Sequence, residues 1–115
     1  MSQSANPRAL RRQFLAHLVA GLRVIWPILA FLLVLMVALG GTVALLEHWS
    51  LFDGIYFAFV SGMTIGYGDL APKGTVARVL AVSIGFVGIL FAGLVAAVGV
   101  QALNATLQAQ KDGNL

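Results

Sequence analysis

The chain of 115 residues is 60% hydrophobic and only 10% charged, against roughly 25% charged residues in a soluble domain. It has no cysteine, which excludes disulfides, thiolate chemistry and cysteine-ligated metal sites. Its net charge is +3, with Arg8, Arg11, Arg12 and Arg23 all ahead of the first long apolar run, too short a basic segment for nucleic acid.

Apolar residues are concentrated rather than dispersed. Neither Val24–Leu46 nor Val79–Gln110 carries an ionisable side chain. About 20 apolar residues in helix cross a bilayer core, so an all-α membrane protein with two transmembrane helices is expected. The N-terminal arginines follow the positive-inside bias and put the N-terminus in the cytoplasm. Two spans return Lys111 and the C-terminus to the same side, in a plasma or inner membrane, and residues 47–77 face outward. His17 and His48 lie at opposite ends of the first span and are not expected to share a metal within one subunit. So few polar residues group no nucleophile, base and orienting partner, and an enzyme is not expected.

Residues 1–24 read as a cytoplasmic or interfacial segment. Asn6-Pro7 is a helix start, with Asn as cap and Pro at the first helical position. Phe14, Leu15, Leu18, Val19 and Leu22 then share one face and Arg12, Gln13, His17 and Arg23 the other. This suits either a short helix lying in the interface or a frayed extension of the first span. Arg11-Arg12-Gln13-Phe14-Leu15 also resembles a twin-arginine export signal, with Ala38-Leu39-Gly40 as a cleavage site. Against that, the apolar run starts only after Arg23 and is long for a signal peptide. The outer helix is placed at 25–46, with Trp26 as an interfacial anchor and Pro27 near its start, where proline does least harm. Gly40-Gly41 permits a close helix contact or a bend.

Asp53 is the expected cap of a helix over 54–63. That helix is about 15 Å long at 1.5 Å per residue, too short to span a membrane, and its position between two spans makes it re-entrant. Leu70–Gly74 is a loop by its proline and glycine. The inner helix is placed at 75–103, with Gly85, Gly88, Gly93 and Gly99 inside it, and residues 104–115 form a tail.

Between the short helix and the loop stands Thr64-Ile65-Gly66-Tyr67-Gly68-Asp69. Non-helical backbone survives at membrane depth only inside protein or beside water. Gly66 and Gly68 invite positive φ. Residues that alternate between left- and right-handed conformations turn successive carbonyls to one side, giving a row of oxygen ligands. One chain supplies one wall, and rotational symmetry supplies the rest. In a homotetramer, rings of carbonyls from Thr64, Ile65, Gly66 and Tyr67, with the Thr64 hydroxyl below, replace a cation's hydration shell. The C-terminal dipole end of the preceding helix favours a cation at the same axis. Tyr67 packs behind the row.

This hexapeptide resembles the potassium-channel signature Thr-Val/Ile-Gly-Tyr-Gly-Asp. The order of outer helix, pore helix (54–63), filter (64–69) and inner helix also resembles the prokaryotic two-transmembrane potassium channels, over the pore domain 25–103. The resemblance implies a homotetramer in the lipid bilayer, K+ held at Thr64, Ile65, Gly66 and Tyr67 as the permeant ion, and no organic cofactor. It implies that Gly68 and Asp69 shape the outer mouth, that Gly88 and Gly93 are hinge positions, and that Ala96, Gly99, Val100 and Leu103 stand where family pores narrow. Most of these last are small, so a tight hydrophobic gate is not expected. Gly85 and Gly99 are extra glycines. The sequence departs from the family pattern in two places. Met63 replaces a common second threonine. Val60 replaces a glutamate that pairs, in one branch, with the carboxylate matching Asp69, and Tyr56, one turn earlier, is the alternative donor to Asp69.

Asp69, repeated around the mouth, attracts cations, while Asp53 is a cap rather than a permeation residue. Arg78 snorkels to the outer interface. No helix carries arginine at every third position, so a voltage sensor is absent. His17 is a candidate proton sensor or an ordinary amphipathic-face residue. The expected function is a potassium-selective channel. The alternatives are a weakly selective cation channel of the same architecture and a non-channel scaffold or accessory subunit. The chain has the extent of a pore module and fits a piece of a longer protein as well.

Overall fold

The structure, a computed structural model, describes residues 6–113. It contains three helices among those residues: α1 (Pro7–Glu47), α2 (Leu51–Gly62) and α3 (Thr75–Lys111). The protein is an all-α membrane protein. α1 and α3 are both long and apolar enough to cross a bilayer, and only 33% and 11% of their most apolar windows are buried within the chain. A core helix of a soluble protein would hide that surface; here it is left for lipid or other protein.

α1 starts where the sequence places it. The Asn6 side chain accepts from the Arg8 amide at 2.9 Å, and Pro7 lacks the amide that would otherwise go unpaired. The helix then runs without a break to Glu47, through Pro27. The N-terminal segment is helix continuous with the first span rather than frayed from it, and the helical boundary lies at Pro7 instead of residue 25. α3 likewise outlasts its expected end at 103 and continues to Lys111. Hydropathy marks where a membrane ends and not where a helix does. Residues 104–111 hold no proline or glycine to stop the ladder, and Gly113 with φ 78° follows its end.

α2 begins earlier than expected, and Asp53 is not its cap. Ser50 is extended (φ −67°, ψ 155°) and its hydroxyl accepts from the Asp53 amide at 3.1 Å. Asp53 sits in the first turn, where its charge complements the positive dipole end. The helix ends at Gly62, one residue short of the expected 63, with Met63 as C-cap.

The chain divides into two compact units, residues to Pro27 with those from Leu94 on, and Ile28–Gly93. Within Ile28–Gly93 the core joins Met36 and Val43 of α1, Phe57 and Ala58 of α2, and Ala77 and Ile84 of α3. Trp49 packs edge-on against Phe57 with ring centroids 5.3 Å apart. In the other unit, Gly21 lies against Val98. Thr106, a buried polar residue, donates to the Ala102 carbonyl at 2.9 Å and accepts from His17 Nδ1 at 3.0 Å.

Candidate functional site

The Thr64–Asp69 segment begins as the termination of α2. The Thr64 amide bonds the Ser61 carbonyl at 3.1 Å and the Ile65 amide bonds the Val60 carbonyl at 2.9 Å. These paired reversals form a Schellman cap, whose first residue beyond the cap takes a left-handed conformation and is usually glycine. Here it is Thr64, with φ 59°. A β-branched residue at positive φ is an outlier, costing about 1–2 kcal/mol. Strain of this kind is characteristic of functional segments. The Gly66 amide shares the Val60 carbonyl at 3.4 Å.

Beyond the cap the handedness alternates. Thr64, Gly66 and Gly68 have φ of 59°, 62° and 82°, whereas Ile65 and Tyr67 are not in the positive-φ region. A side chain on Gly66 or Gly68 would meet nothing within 4 Å, so backbone conformation and not space requires glycine there. Among the described residues no carbonyl from Thr64 to Gly68 accepts a hydrogen bond. The whole stretch from Met63 to Asp69 is exposed within the chain, with Tyr67 at 68%.

The far end of the segment returns to α2. Tyr56 Oη donates to Asp69 Oδ2 at 3.0 Å, and Asp69 Oδ1 accepts from the Leu70 amide at 3.1 Å. The segment is therefore tied to one helix at both ends, by Val60 and Ser61 at its start and by Tyr56 at its close. Next to it, Glu47 at the end of α1 accepts from the Lys73 amide at 2.6 Å and the Gly74 amide at 3.1 Å. Both its oxygens clasp the loop that leads into α3. Arg78 donates from Nε to the Pro72 carbonyl at 3.3 Å, so its guanidinium also braces this loop.

Glycines position α2 on its neighbours. A Cβ on Gly40 would lie 2.5 Å from the Gly54 carbonyl oxygen and 2.7 Å from Ala58 Cβ, and one on Gly54 would run into the Gly40 carbonyl and Ala44. Each helix thus offers a glycine and, four residues on, an alanine to the other, the small-residue pattern that lets backbones approach. At the opposite end of α2, a Cβ on Gly88 of α3 would fall on the backbone of Gly62.

The remaining expected site residues lie on α3. Gly93 has open space around it, as do Gly85 and Gly99. Ala96, Val100 and Leu103 are exposed. Sequence reasoning did not anticipate Glu47, Gly62 or the left-handed Thr64. For Gly40 and Gly54 a signal existed in Gly40-x3-Ala44 and Gly54-x3-Ala58. For the Glu47 clasp, which joins residues 26 and 27 apart, local sequence offers none.

A family model described as ion channel matches residues 28–105, a stretch that holds α2, the strained segment and its two anchors. The chain therefore belongs to the ion-channel family. Two-pore potassium channel 3 of Arabidopsis thaliana is 42% identical to it over 48 residues, which make up 37% of this chain and 11% of that protein's length. No solved structure matches the chain.

Proposed function

We propose that the protein is a potassium-selective channel, a homotetramer in which Thr64, Ile65, Gly66 and Tyr67 from each copy line a shared axis and K+ passes by exchanging its water for their carbonyls. The observation that carries this reading is the alternation of φ from Thr64 to Gly68 along a row of carbonyls that accept no hydrogen bond from the described residues. Alternating handedness is what turns successive carbonyls to one side, and free carbonyls are what an ion needs. The exposure of Ile65 and Tyr67 at 45% and 68% supports it, since bare aromatic and branched side chains in this segment call for cover by neighbouring copies. The name of the plant relative, a potassium channel, agrees with it.

In this reading α2 is re-entrant, the pore domain extends over 25–103, and the segments 1–24 and 104–115 lie on the cytoplasmic side of a plasma or inner membrane. Gly68 and Asp69 form the outer mouth, where repeated carboxylates raise the local cation concentration. Tyr56 holds Asp69 in place there. Ala96, Gly99, Val100 and Leu103 line the inner end of the path.

The test is flux from liposomes holding the purified chain, with barium as blocker, followed by reversal potentials in mixed sodium and potassium. Barium-sensitive potassium flux with a reversal potential near that of potassium is expected. A reversal potential indifferent to the two ions would favour a weakly selective cation channel. No flux under any condition would favour a scaffold or accessory subunit.

A further inference from the structure

We infer that α1 holds a phospholipid headgroup in a groove beside Pro27, and that the lipid it fits is phosphatidylethanolamine, with the phosphate on the Arg23 guanidinium and the ammonium on the Arg23 main-chain carbonyl. The inference needs α1 to enter a membrane at this point. It does not need the chain to conduct ions.

It begins with Pro27. Because α1 starts at Pro7, Pro27 lies well inside a continuous helix and not near its start. An interior proline has no N–H to give to the carbonyl four residues back, so the Arg23 carbonyl is left without its helical donor. Such a group is costly to leave unpaired away from water. Arg23 thus presents two opposite hydrogen-bonding groups, an acceptor on its main chain and a fork of donors on its side chain.

The same residue stands in a groove. Val19, Leu22, Arg23, Trp26 and Pro27 line an open recess of about 480 Å³, in which Arg23 is the one charged residue. His17 and Gly21 are the residues of α1 turned to α3, through the bond to Thr106 and the contact with Val98. Val19 and Arg23 stand two residues beyond each of them, about 200° round the helix, and both are exposed, as is Trp26 at 58%. The groove therefore lies on the side of α1 that α3 leaves bare. No carboxylate stands on α1 before Glu47, so an anion approaching it meets positive charge alone.

The chemistry of the walls selects the occupant. Arginine grips phosphate through two parallel bonds, and a tryptophan ring sits well at headgroup level, with one end in apolar surroundings. A free phosphate would satisfy the guanidinium and leave the carbonyl and the apolar walls bare. Phosphatidylcholine brings a phosphate and acyl chains, but its trimethylated nitrogen has no N–H. Phosphatidylethanolamine brings all three: a phosphate for the guanidinium, an ammonium for the carbonyl and chains for Val19 and Trp26.

Trp26 is a built-in reporter. In the full chain carrying Trp49→Phe, reconstituted in vesicles, quenching of Trp26 by chain-brominated lipids against unbrominated phosphatidylcholine gives a relative affinity for each headgroup. Phosphatidylethanolamine and its N,N-dimethyl form, which keeps one N–H, are expected to be held about three- to tenfold more tightly than phosphatidylcholine, the worth of one net hydrogen bond. Pro27→Ala restores an amide to the Arg23 carbonyl and is expected to abolish that preference while phosphatidylcholine is held as before. Arg23→Gln is expected to weaken all three lipids alike. Equal affinity for the three in the Pro27 chain, or a preference that survives Pro27→Ala, would overturn the proposal, and so would an Arg23→Gln chain that binds as before. Trp26 unquenched by any lipid would overturn it as well, because another copy of the chain would then fill the groove. If Trp49→Phe does not fold, native mass spectrometry of the chain with both tryptophans reads the same three affinities. None of these outcomes bears on ion flux, so the channel reading stands or falls separately.

Discussion

The Thr64–Gly68 segment and the crossings of α2 with its neighbours both depend on glycine, for opposite reasons. At Gly66 and Gly68 there is room for a side chain, but φ of 62° and 82° disfavours one. At Gly40, Gly54 and Gly88 the helix is ordinary, but the place of a Cβ is already taken by another backbone. One class sets the path of a single stretch of chain and the other sets the distance between helices. Substitution should therefore fail differently: strain in the first class stays local, whereas bulk in the second displaces a whole element.

The largest expected effect is at the crossings. Gly40→Leu forces a branched side chain against the Gly54 carbonyl and Ala58 Cβ, which stand 2.5 Å and 2.7 Å from where its Cβ must lie. Overpacking of this kind costs on the order of 3 kcal/mol, and rigid backbone on the far side leaves little room for relief. Purified protein should melt well below wild type or fail to accumulate. Unchanged melting would mean that α1 and α2 can separate at this point without penalty, and the contrast drawn above would lose one of its sides.

Gly66→Ala comes next. Space is open there, so the variant should fold, losing about 1–2 kcal/mol to the left-handed backbone. The expected signature is near-normal yield with strongly reduced potassium flux from liposomes. Loss of stability without loss of flux would show that Gly66 belongs with the packing glycines after all.

Thr64 sharpens the contrast because it is a left-handed position without glycine. Thr64→Gly relieves the strain at the Schellman cap of α2 and should stabilise the protein by roughly 1 kcal/mol. It also removes the hydroxyl proposed to bind K+ below the carbonyl rows, so potassium flux should fall as the melting temperature rises. A protein that becomes both more stable and a better conductor would leave the threonine without a reason.

How much of this was readable in advance follows from where each cause lies. The two apolar runs and the Asn6-Pro7 start are local properties, and they stood in the sequence. So did the demand of Gly66 and Gly68 for positive φ, because glycine at every second position has little other use in an apolar region. The ends of α1 and α2, expected at 46 and 63, fall within a residue of Glu47 and Gly62, but the left-handed backbone at His48 and Thr64 that follows them was not legible, since neither is glycine and neither side chain announces it. The cap of α2 was expected at Asp53 and stands three residues earlier at Ser50, because Asp and Ser are both favoured at that position and the residue type alone does not fix the start. Partners across the chain were least legible. Gly62 meets Gly88, Glu47 meets Lys73 and Gly74, and His17 meets Thr106; each needs the fold before it can exist.

The smallest expected effect concerns the polar tie that belongs to neither glycine class. Tyr56 Oη holds Asp69 Oδ2 at 3.0 Å, closing the segment back onto the helix that opened it. Val60, one turn on, carries no carboxyl or hydroxyl to take over. Tyr56→Phe keeps the ring and its packing and removes only the donor. Asp69 retains its bond to the Leu70 amide, so the carboxylate keeps one tie but loses its link to α2. Global melting should barely move, while currents during sustained opening should decline faster than in wild type. Such a result would separate holding the Thr64–Asp69 segment from building the core. Identical decay in Tyr56→Phe and wild type would mean that the Schellman cap at Val60 and Ser61 alone suffices to hold the segment, and that Tyr56 is simply an aromatic residue at the membrane surface.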